Sequence, residues 1–424
     1  MVLSQRIWQG LSGLITVFIL TYYLSPVEQG WYYSLLSLAT LYIIFDFGLS
    51  NALIQIMSHL FVDQGWISHG EIKGNKAQEI SELSYQLLRF YLILFLIFIL
   101  LILPFGFLFF GHKTNNEVIN WQVPWIALVV SAALNLITLP FAAIFEGSGE
   151  VKAVYKLRLF QGISASIAAW VVIINGFALW GPATFFFVSV LVFIFWLFQY
   201  KSFFIKKILQ SRSSKINWIS QIWPMHWRVG ISWISTYFFT QSFVPILFYT
   251  QNAELAGQMG LSLTLANMLG LIAQSWVAYQ VPDMAKAAAS KNWNLLDQIF
   301  KDNLLISTGV YIIGVLIALL LYFSFSSSPY IERLLSPIGM IGLLFIVLIN
   351  HIIGCFITHL RSYKKEPLAR VLFLGTLIAL PLMLIYSSRY AEIGMVAIVL
   401  FIQIIFILPA TLFLWKKYNL LWRL

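Results

Sequence analysis

The sequence predicts an all-α membrane protein of about twelve transmembrane helices, arranged as two pseudo-symmetric six-helix lobes around a central cavity. Composition is the first observation, because 60% of the 424 residues are hydrophobic and 10% are charged, whereas soluble domains carry about 25% charged residues. Apolar runs are the second, since several reach the roughly 20 residues that cross a bilayer as a helix. The placement of Lys and Arg is the third. These observations exclude a soluble globular class.

Polar breaks between apolar runs place the individual helices. In the first half, the predicted helices lie near residues 7–24, 31–60, 85–110, 124–145, 157–179 and 183–200. In the second half, they lie near residues 226–250, 257–280, 303–325, 337–360, 368–387 and 393–415. The first run is predicted to be a retained helix rather than a signal peptide, because no small-residue cleavage site follows it. We therefore predict an N-terminal lobe over 1–200, a basic cytoplasmic linker over 201–225 and a C-terminal lobe over 226–424.

Lys and Arg alternate between rich and poor loops along the whole chain. With the N-terminus in the cytoplasm, inner segments hold 23 of these residues and outer segments hold three, Lys113, Arg333 and Arg389. Such an excess on one side is typical of cytoplasmic loops. The pattern predicts a multi-pass protein of the bacterial cytoplasmic (inner) membrane with both termini in the cytoplasm. Topology thus accounts for the net charge of +10, and no nucleic-acid partner is predicted.

The two halves carry a similar pattern in their first helices. A basic residue is followed by small residues at +4 and +7 in both, as Arg6, Gly10 and Gly13 and as Arg228, Ser232 and Ser235. Both helices end in a turn with an acidic residue before a glycine, as Glu28 and Gly30 and as Glu254 and Gly257. Two parallel six-helix halves imply a pseudo-two-fold axis along the membrane normal, with a site between the lobes.

Three segments resemble a known family. The stretch Leu24-Ser-Pro-Val-Glu-Gln-Gly-Trp-Tyr-Tyr-Ser-Leu-Leu-Ser-Leu and the stretch Phe45-Asp-Phe-Gly-Leu-Ser-Asn-Ala-Leu-Ile look like the start of bacterial polysaccharide flippases. These belong to the multidrug/oligosaccharidyl-lipid/polysaccharide exporter superfamily. The segment Val281-Pro-Asp-Met-Ala-Lys is similar to the family's matching cytoplasmic loop.

This resemblance implies a function in surface-glycan assembly. Such proteins move undecaprenyl-diphosphate-linked oligosaccharide, an O-antigen or capsule repeat unit, from the cytoplasmic to the periplasmic leaflet. The resemblance also implies alternating access of two lobes and coupling to a proton or sodium gradient. The implied partners are the lipid-linked oligosaccharide, the bilayer, the coupling ion and other membrane proteins of glycan assembly.

Polar side chains within or beside the predicted spans are candidates for binding an anionic sugar headgroup. Cations suit its phosphates, and amides suit its hydroxyl groups. We predict substrate-binding residues Arg6, Arg228, Asn267, Gln274 and Asn350. An alternative for the arginines is anchoring at the inner interface with their stems in the bilayer. The alternative for the amides is hydrogen bonding between helices.

Two titratable side chains inside the spans are candidates for ion coupling. Asp46 is a carboxylate well inside a predicted span, where an unpaired charge is costly, and His351 can change its charge near neutral pH. Asp46 could instead be a structural cap or salt-bridge partner, and His351 could be a neutral packed residue. Both are predicted here as ion-coupling residues.

Motif searches favour a transporter over an enzyme. The sequence lacks a Gly-x4-Gly-Lys-Ser/Thr phosphate loop, His-Glu-x-x-His and Gly-x-Ser-x-Gly, so no catalytic residue, metal site or cofactor is predicted. A multidrug exporter of the same superfamily is one alternative, which the arginine placement disfavours. A membrane enzyme of surface-glycan assembly is another, which the short outer loops disfavour.

Overall fold

The computed structural model describes residues 2–62, 64–67, 70–112, 119–210, 230–231, 234–235, 237–363 and 367–423. The chain divides into two compact units. The first comprises Met1–Tyr23 and Leu35–Trp233, and the second comprises Leu24–Ser34 and Ile234–Leu424. The start of the second predicted span thus groups with the C-terminal half.

The first unit is built from long helices and one small hairpin. Its elements, with α2 shared between the units, are α1 (Val2–Tyr23), α2 (Pro26–Ala39), α3 (Tyr42–Phe45), α4 (Leu49–Leu60), β1 (Gly65–Trp66), β2 (Ile72–Lys73), α5 (Ala77–Gly111), α6 (Gln122–Gly147), α7 (Val151–Ile174) and α8 (Gly181–Gln210). Helix α6 packs against α4, α5 and α8, and α7 packs against α1 and α8. The apolar core therefore lies around α6.

A buried lysine fixes the hairpin of β1 and β2 to the helices. Lys201 lies where α8 leaves helical geometry, at φ −134° and ψ 27°. Its ammonium group lies 3.1 Å from Glu150 Oε1 and 4.0 Å from the centroid of the Trp66 ring. Trp66 Nε1 donates to Ser148 Oγ at 2.8 Å. The ion pair and the cation–π contact stabilise this lysine at 5% exposure.

The second unit is also helical. Its further elements are α9 (Phe243–Thr250), α10 (Ala253–Ala289), α11 (Trp293–Ser324), α12 (Pro337–Arg361), α13 (Ala369–Ile402), a π-helical turn (Gln403–Ile407) and α14 (Leu408–Leu421). Helix α10 packs against α9, α11 and α12, and α12 packs against α11, α13 and α14. Several helices extend beyond their apolar runs, since the run 257–280 corresponds to the 37-residue α10.

The last long segment contains a chain reversal. Ala369–Leu421 has 53 residues, about 80 Å if straight, which exceeds twice the hydrocarbon thickness of about 30 Å. Helical geometry breaks at Tyr390 and at Ala391, whose φ is +51°. A Cβ at Gly394 would lie 2.6 Å from the backbone oxygen of Tyr386, and one at Gly375 would lie 2.8 Å from Ile407. The segment is therefore an antiparallel hairpin and holds two spans.

The predicted all-α membrane class is confirmed. In the part of the chain that the structure describes, nine segments are long and apolar enough to cross a membrane. With Ala369–Leu421 counted as two, the described spans number ten, and the 22-residue α1 is long enough to be a further one. The seventh predicted helix, 226–250, is described only in part.

Candidate functional site

Arg6 lies on a separate face of α1. Trp8 and Thr16 define the face toward α7, because the Trp8 and Trp170 ring centroids are 6.2 Å apart and Trp170 Nε1 donates to Thr16 Oγ1 at 2.8 Å. Exposed apolar side chains define a second face: Ile7, Leu11, Leu14, Phe18 and Tyr22. At 3.6 residues per turn, Arg6 lies roughly 120° from both.

Two positions on this third face have open space beside them within the described residues. The Arg6 side chain is exposed, and a Cβ at Gly10 would meet no atom within 4 Å. A guanidinium group in contact with lipid tails is unfavourable. Binding of an anion by Arg6 stays a prediction.

Asp46 lies at a break in the second predicted span. The sequence-based prediction of one helix over 31–60 is wrong at this point, because α3 ends at Phe45 and α4 begins at Leu49. Phe47 and Gly48 have φ values of +48° and +71°, a conformation that glycine adopts readily and phenylalanine does not. The span is a discontinuous helix, a feature found at transporter binding sites.

The carboxylate of Asp46 holds this break together. It accepts hydrogen bonds from Ser50 N at 3.3 Å and from Ser50 Oγ at 2.6 Å, which satisfies a free amide at the start of α4. It also accepts one from the Tyr91 hydroxyl of α5 at 2.5 Å. Asp46 is 7% exposed and Tyr91 is fully buried. The geometry of a cap is therefore present, while ion coupling by Asp46 stays a prediction.

His351 lies between α11 and α12 in the second unit. Its Nε2 lies 2.9 Å from Ser307 Oγ, and its ring stacks on Tyr311 with the centroids 6.2 Å apart. The side chain is 3% exposed, and its Nδ1 is buried without a hydrogen-bond partner among the described residues. Such an atom costs about 1–3 kcal/mol. Because the ring contacts are apolar or neutral, a proton on His351 would need a partner from another arrangement of these helices.

Two of the predicted amides lie close to His351 along α12: Asn350 belongs to α12, and Gln274 belongs to α10 and packs against it. Asn350 Oδ1 accepts a hydrogen bond from Gln403 Nε2 at 2.9 Å, and Gln403 begins the π-helical turn. Gln274 of α10 fills the space beside Gly354, since a Cβ there would lie 2.6 Å from its Nε2. Isolated π-helical turns are frequent at functional sites. Gln274, Asn350 and His351 therefore lie around one stretch of α12.

The other predicted residues are not part of this group. Asn267 is exposed on α10, and Arg6 belongs to the first unit. Arg228 lies outside the described residues. The seven predicted residues therefore divide into Arg6 and Asp46 in the first unit, the α12 group and Asn267 in the second, and Arg228. Their roles in binding and coupling stay predictions.

Sequence reasoning missed the partners of these residues. Tyr91, Ser307 and Gln403 each contact a predicted site residue, and Gln403 is fully buried. Gln403 interrupts the apolar run 393–415, so an intramembrane amide was a signal that could have found it. Tyr91 and Ser307 carry no such signal, because tyrosine and serine are common in membrane helices.

Comparison of the chain with known proteins finds similarity at the level of the fold and not of the sequence. No protein-family model matches it, and no curated protein matches it. Solved structures do match. An inward-facing multidrug resistance MATE family transporter of the MOP superfamily has a TM-score of 0.64 and 13% identity, over 98% of this chain and 99% of that one. The chain has the fold of these transporters.

Two further solved structures share this fold. The lipid II flippase MurJ, in an inward closed conformation, matches with a TM-score of 0.59 and 15% identity, over 97% of this chain and 86% of that one. A MOP superfamily transporter from Pyrococcus furiosus matches with a TM-score of 0.57 and 13% identity, over 100% and 96%. Since the fold includes multidrug resistance transporters and a lipid II flippase, it does not distinguish between these substrates.

Proposed function

We propose that this protein is a flippase that moves undecaprenyl-diphosphate-linked oligosaccharide repeat units, of the O-antigen or capsule kind, from the cytoplasmic to the periplasmic leaflet. The observation that carries the proposal is Arg6, a cation on an open, small-residue face of α1. A diphosphate headgroup carries negative charge, and guanidinium groups bind phosphate through two parallel hydrogen bonds. The repeat pattern assigns Arg228 the same role in the second half.

The remaining polar residues have distinct roles in this proposal. The amides of Asn267, Gln274 and Asn350 contact sugar hydroxyl groups, because amides both donate and accept hydrogen bonds. Asp46 and His351 bind the coupling proton or sodium ion. The proposed location is the bacterial inner membrane with both termini in the cytoplasm, where the precursor lipid is available.

A multidrug exporter is the second candidate, and the match to a multidrug resistance transporter supports it. Cationic drugs need an acidic or aromatic cavity, and Asp46 is the buried carboxylate that could supply it. Its oxygens already accept hydrogen bonds from Ser50 and Tyr91 in the first unit. The charge available at the open face of α1 is instead positive, which favours an anionic substrate.

Translocation in proteoliposomes tests the proposal. Purified protein is reconstituted with undecaprenyl-diphosphate-linked oligosaccharide, and a glycosidase added outside measures how much headgroup reaches the outer leaflet. We expect Arg6→Ala to slow translocation about tenfold or more, as the loss of one charged hydrogen bond implies. Arg6→Lys keeps the charge and should retain part of the rate.

The matched control is Lys156→Ala, which removes an exposed cation from α7, the helix packed beside α1. If Lys156→Ala slows translocation as much as Arg6→Ala does, the slower rate results from the loss of positive charge in general, and Arg6 is not a binding residue. A wild-type protein that leaves the headgroup in its original leaflet overturns the function itself.

A further inference from the structure

The second unit contains a cavity at the ends of its helices. It has a volume of about 270 Å³ and lies between the starts of α2 and α10 and the segment before α12. Its polar lining comes from Gln29, Glu254, Gln258, Glu332 and Arg333. These residues lie in or directly beside turns that the charge pattern predicts to be outer. The cavity has no lining residue in common with the α12 group.

Gln29 lines this cavity with an acceptor that has no hydrogen-bond partner in the part of the chain that the structure describes. Its Nε2 donates to the backbone oxygens of Gly257 at 2.9 Å and Arg333 at 3.4 Å. Both partners are carbonyl groups, so they fix the orientation of the amide. The side chain is 1% exposed, and its Oε1 has no hydrogen-bond partner among the described residues. A ligand donor at this oxygen would remove an unfavourable buried acceptor.

Arg333 lines the same cavity with a donor for which the described residues provide no acceptor. Its Nη1 is buried and makes no hydrogen bond in the described part of the chain. The Nη1 of Arg333 and the Oε1 of Gln29 are both covered, so binding of a ligand at either atom requires local movement of the side chains that line the cavity. The backbone beside Arg333 is held in place, since Gln258 Nε2 donates a hydrogen bond to the backbone oxygen of Glu332 at 3.1 Å. The wall therefore combines a fixed acceptor with a donor on a movable side chain.

The charges at the cavity limit the class of ligand. Glu254 and Glu332 are exposed carboxylates that line it together with one guanidinium group. Their excess of negative charge disfavours anions, and Arg333 disfavours metal cations. Among the described residues, no group of three or more His, Cys, Asp and Glu side chains could hold a metal ion. Hydroxyl groups both donate and accept, so they match Gln29 and Arg333 together.

We propose that this cavity is a carbohydrate-binding subsite for an uncharged sugar ring. Its volume lies below the roughly 300–1,000 Å³ of sites for drug-sized ligands, which suits one ring rather than a chain. Pro26 and Pro329 supply apolar surface for the face of the ring. The physiological role rests on the proposed flippase function: a subsite at the outer turns would hold a sugar of the transferred headgroup before its release.

Binding of free sugars to the full-length protein in detergent tests the subsite. Saturation-transfer difference NMR is recorded with N-acetylglucosamine, galactose, rhamnose and glucuronate across the millimolar range. At least one of the three neutral sugars should bind saturably, and glucuronate should bind more weakly than the best neutral sugar. Arg333→Met keeps the aliphatic stem and removes the donor, so it should weaken binding about tenfold.

The matched control is Arg389→Met, which removes a cation from another predicted outer turn and should leave sugar binding unchanged. If none of the neutral sugars binds, or if Arg333→Met binds them as the wild type does, the subsite is overturned. Translocation is measured separately. If neutral sugars bind but the protein does not translocate the lipid-linked oligosaccharide, the flippase function is rejected and the sugar site is retained.

Discussion

The Tyr91 hydroxyl donates a hydrogen bond to the Asp46 carboxylate at 2.5 Å, and both side chains are buried in the first unit. The bond joins α5 to the interrupted second span. The same carboxylate accepts a hydrogen bond from the Ser50 hydroxyl at the start of α4. Asp46 therefore stabilises the start of α4 and also connects the interrupted span to α5. A structural role and a coupling role for Asp46 therefore need variants that separate them.

Asp46→Asn separates charge from hydrogen bonding. The amide oxygen still accepts from the Tyr91 and Ser50 hydroxyl groups, and only the 3.3 Å bond from Ser50 N is lost, so we expect the free energy of unfolding to fall by about 1 kcal/mol or less. An amide cannot take up a proton or balance a cation, so stimulation of transport by an imposed ion gradient should be lost. Transport by reconstituted protein with and without the gradient measures this. Tyr91→Phe is the control: it should destabilise by about 1–3 kcal/mol and keep the gradient response. A gradient response that survives in Asp46→Asn removes Asp46 from coupling.

Gly30 and Gly257 allow α2 and α10 to touch through their backbones. A Cβ at Gly30 would lie 1.7 Å from the backbone oxygen of Ala253, and one at Gly257 would lie 2.7 Å from the Gly30 nitrogen. We expect Gly30→Ala or Gly257→Ala to destabilise the protein by about 1–3 kcal/mol, because overpacking here must move backbone. Thermal unfolding of purified protein measures this. Gly309→Ala is the control, since a Cβ there meets no atom within 4 Å; equal losses in all three variants would contradict the contact.

Ser307 is the hydrogen-bond partner of His351 in the second unit. Ser307→Ala should destabilise by about 1–3 kcal/mol, because it removes the 2.9 Å bond to His351 Nε2 and leaves that nitrogen only the weaker contact with Cys355 Sγ at 3.8 Å. The control is Ser275→Ala, whose hydroxyl bonds only within its own helix, to Leu271 O at 2.8 Å among the contacts described. Chemical unfolding in detergent compares the two. If Ser275→Ala costs as much as Ser307→Ala, the bond to His351 contributes nothing measurable.

Asp297 and Arg423 form a bidentate ion pair that fixes the end of the chain to the start of α11. These hydrogen bonds raise the pKa of the Arg423 guanidinium above its usual range. Because the side chains are 34% and 20% exposed, solvent screens the pair. A double-mutant cycle with Asp297→Asn and Arg423→Gln should therefore give a coupling free energy of about 0.5–1 kcal/mol that falls as salt is added.

The matched pair is Asp283 and Lys286, whose side chains are 53% and 78% exposed. The same cycle there should give a smaller coupling free energy, since exposed pairs on one helix contribute about 0.3–0.5 kcal/mol. Equal coupling free energies for the two pairs would show that the fork geometry of Arg423 adds no stability.

Apolar runs predicted which segments cross the membrane but not where the helices end. The run 303–325 corresponds to α11, which begins ten residues earlier at Trp293. Hydrophobicity marks the part of a helix inside the hydrocarbon, and polar turns beyond it continue the helix by their own hydrogen bonds. The reversal at Tyr390 and Ala391 was predicted well, because polar residues interrupt the apolar pattern there.

The break at Asp46 and the contacts of the site could not be read from the sequence. Gly48 was a signal for left-handed backbone, but an isolated glycine is also common within membrane helices. The contact between Gln29 and Gly257 joins positions 228 residues apart, and no local pattern encodes such a pairing. Local spacing predicts which residues share a helical face, while packing decides which faces meet.

Whether this chain carries an anionic lipid-linked sugar or a cationic drug is decided most directly in one set of proteoliposomes. Each preparation is assayed for translocation of undecaprenyl-diphosphate-linked oligosaccharide and for uptake of ethidium. We predict that the protein accelerates the first over protein-free vesicles and leaves the second unchanged. Ethidium uptake without movement of the lipid-linked oligosaccharide would contradict the account.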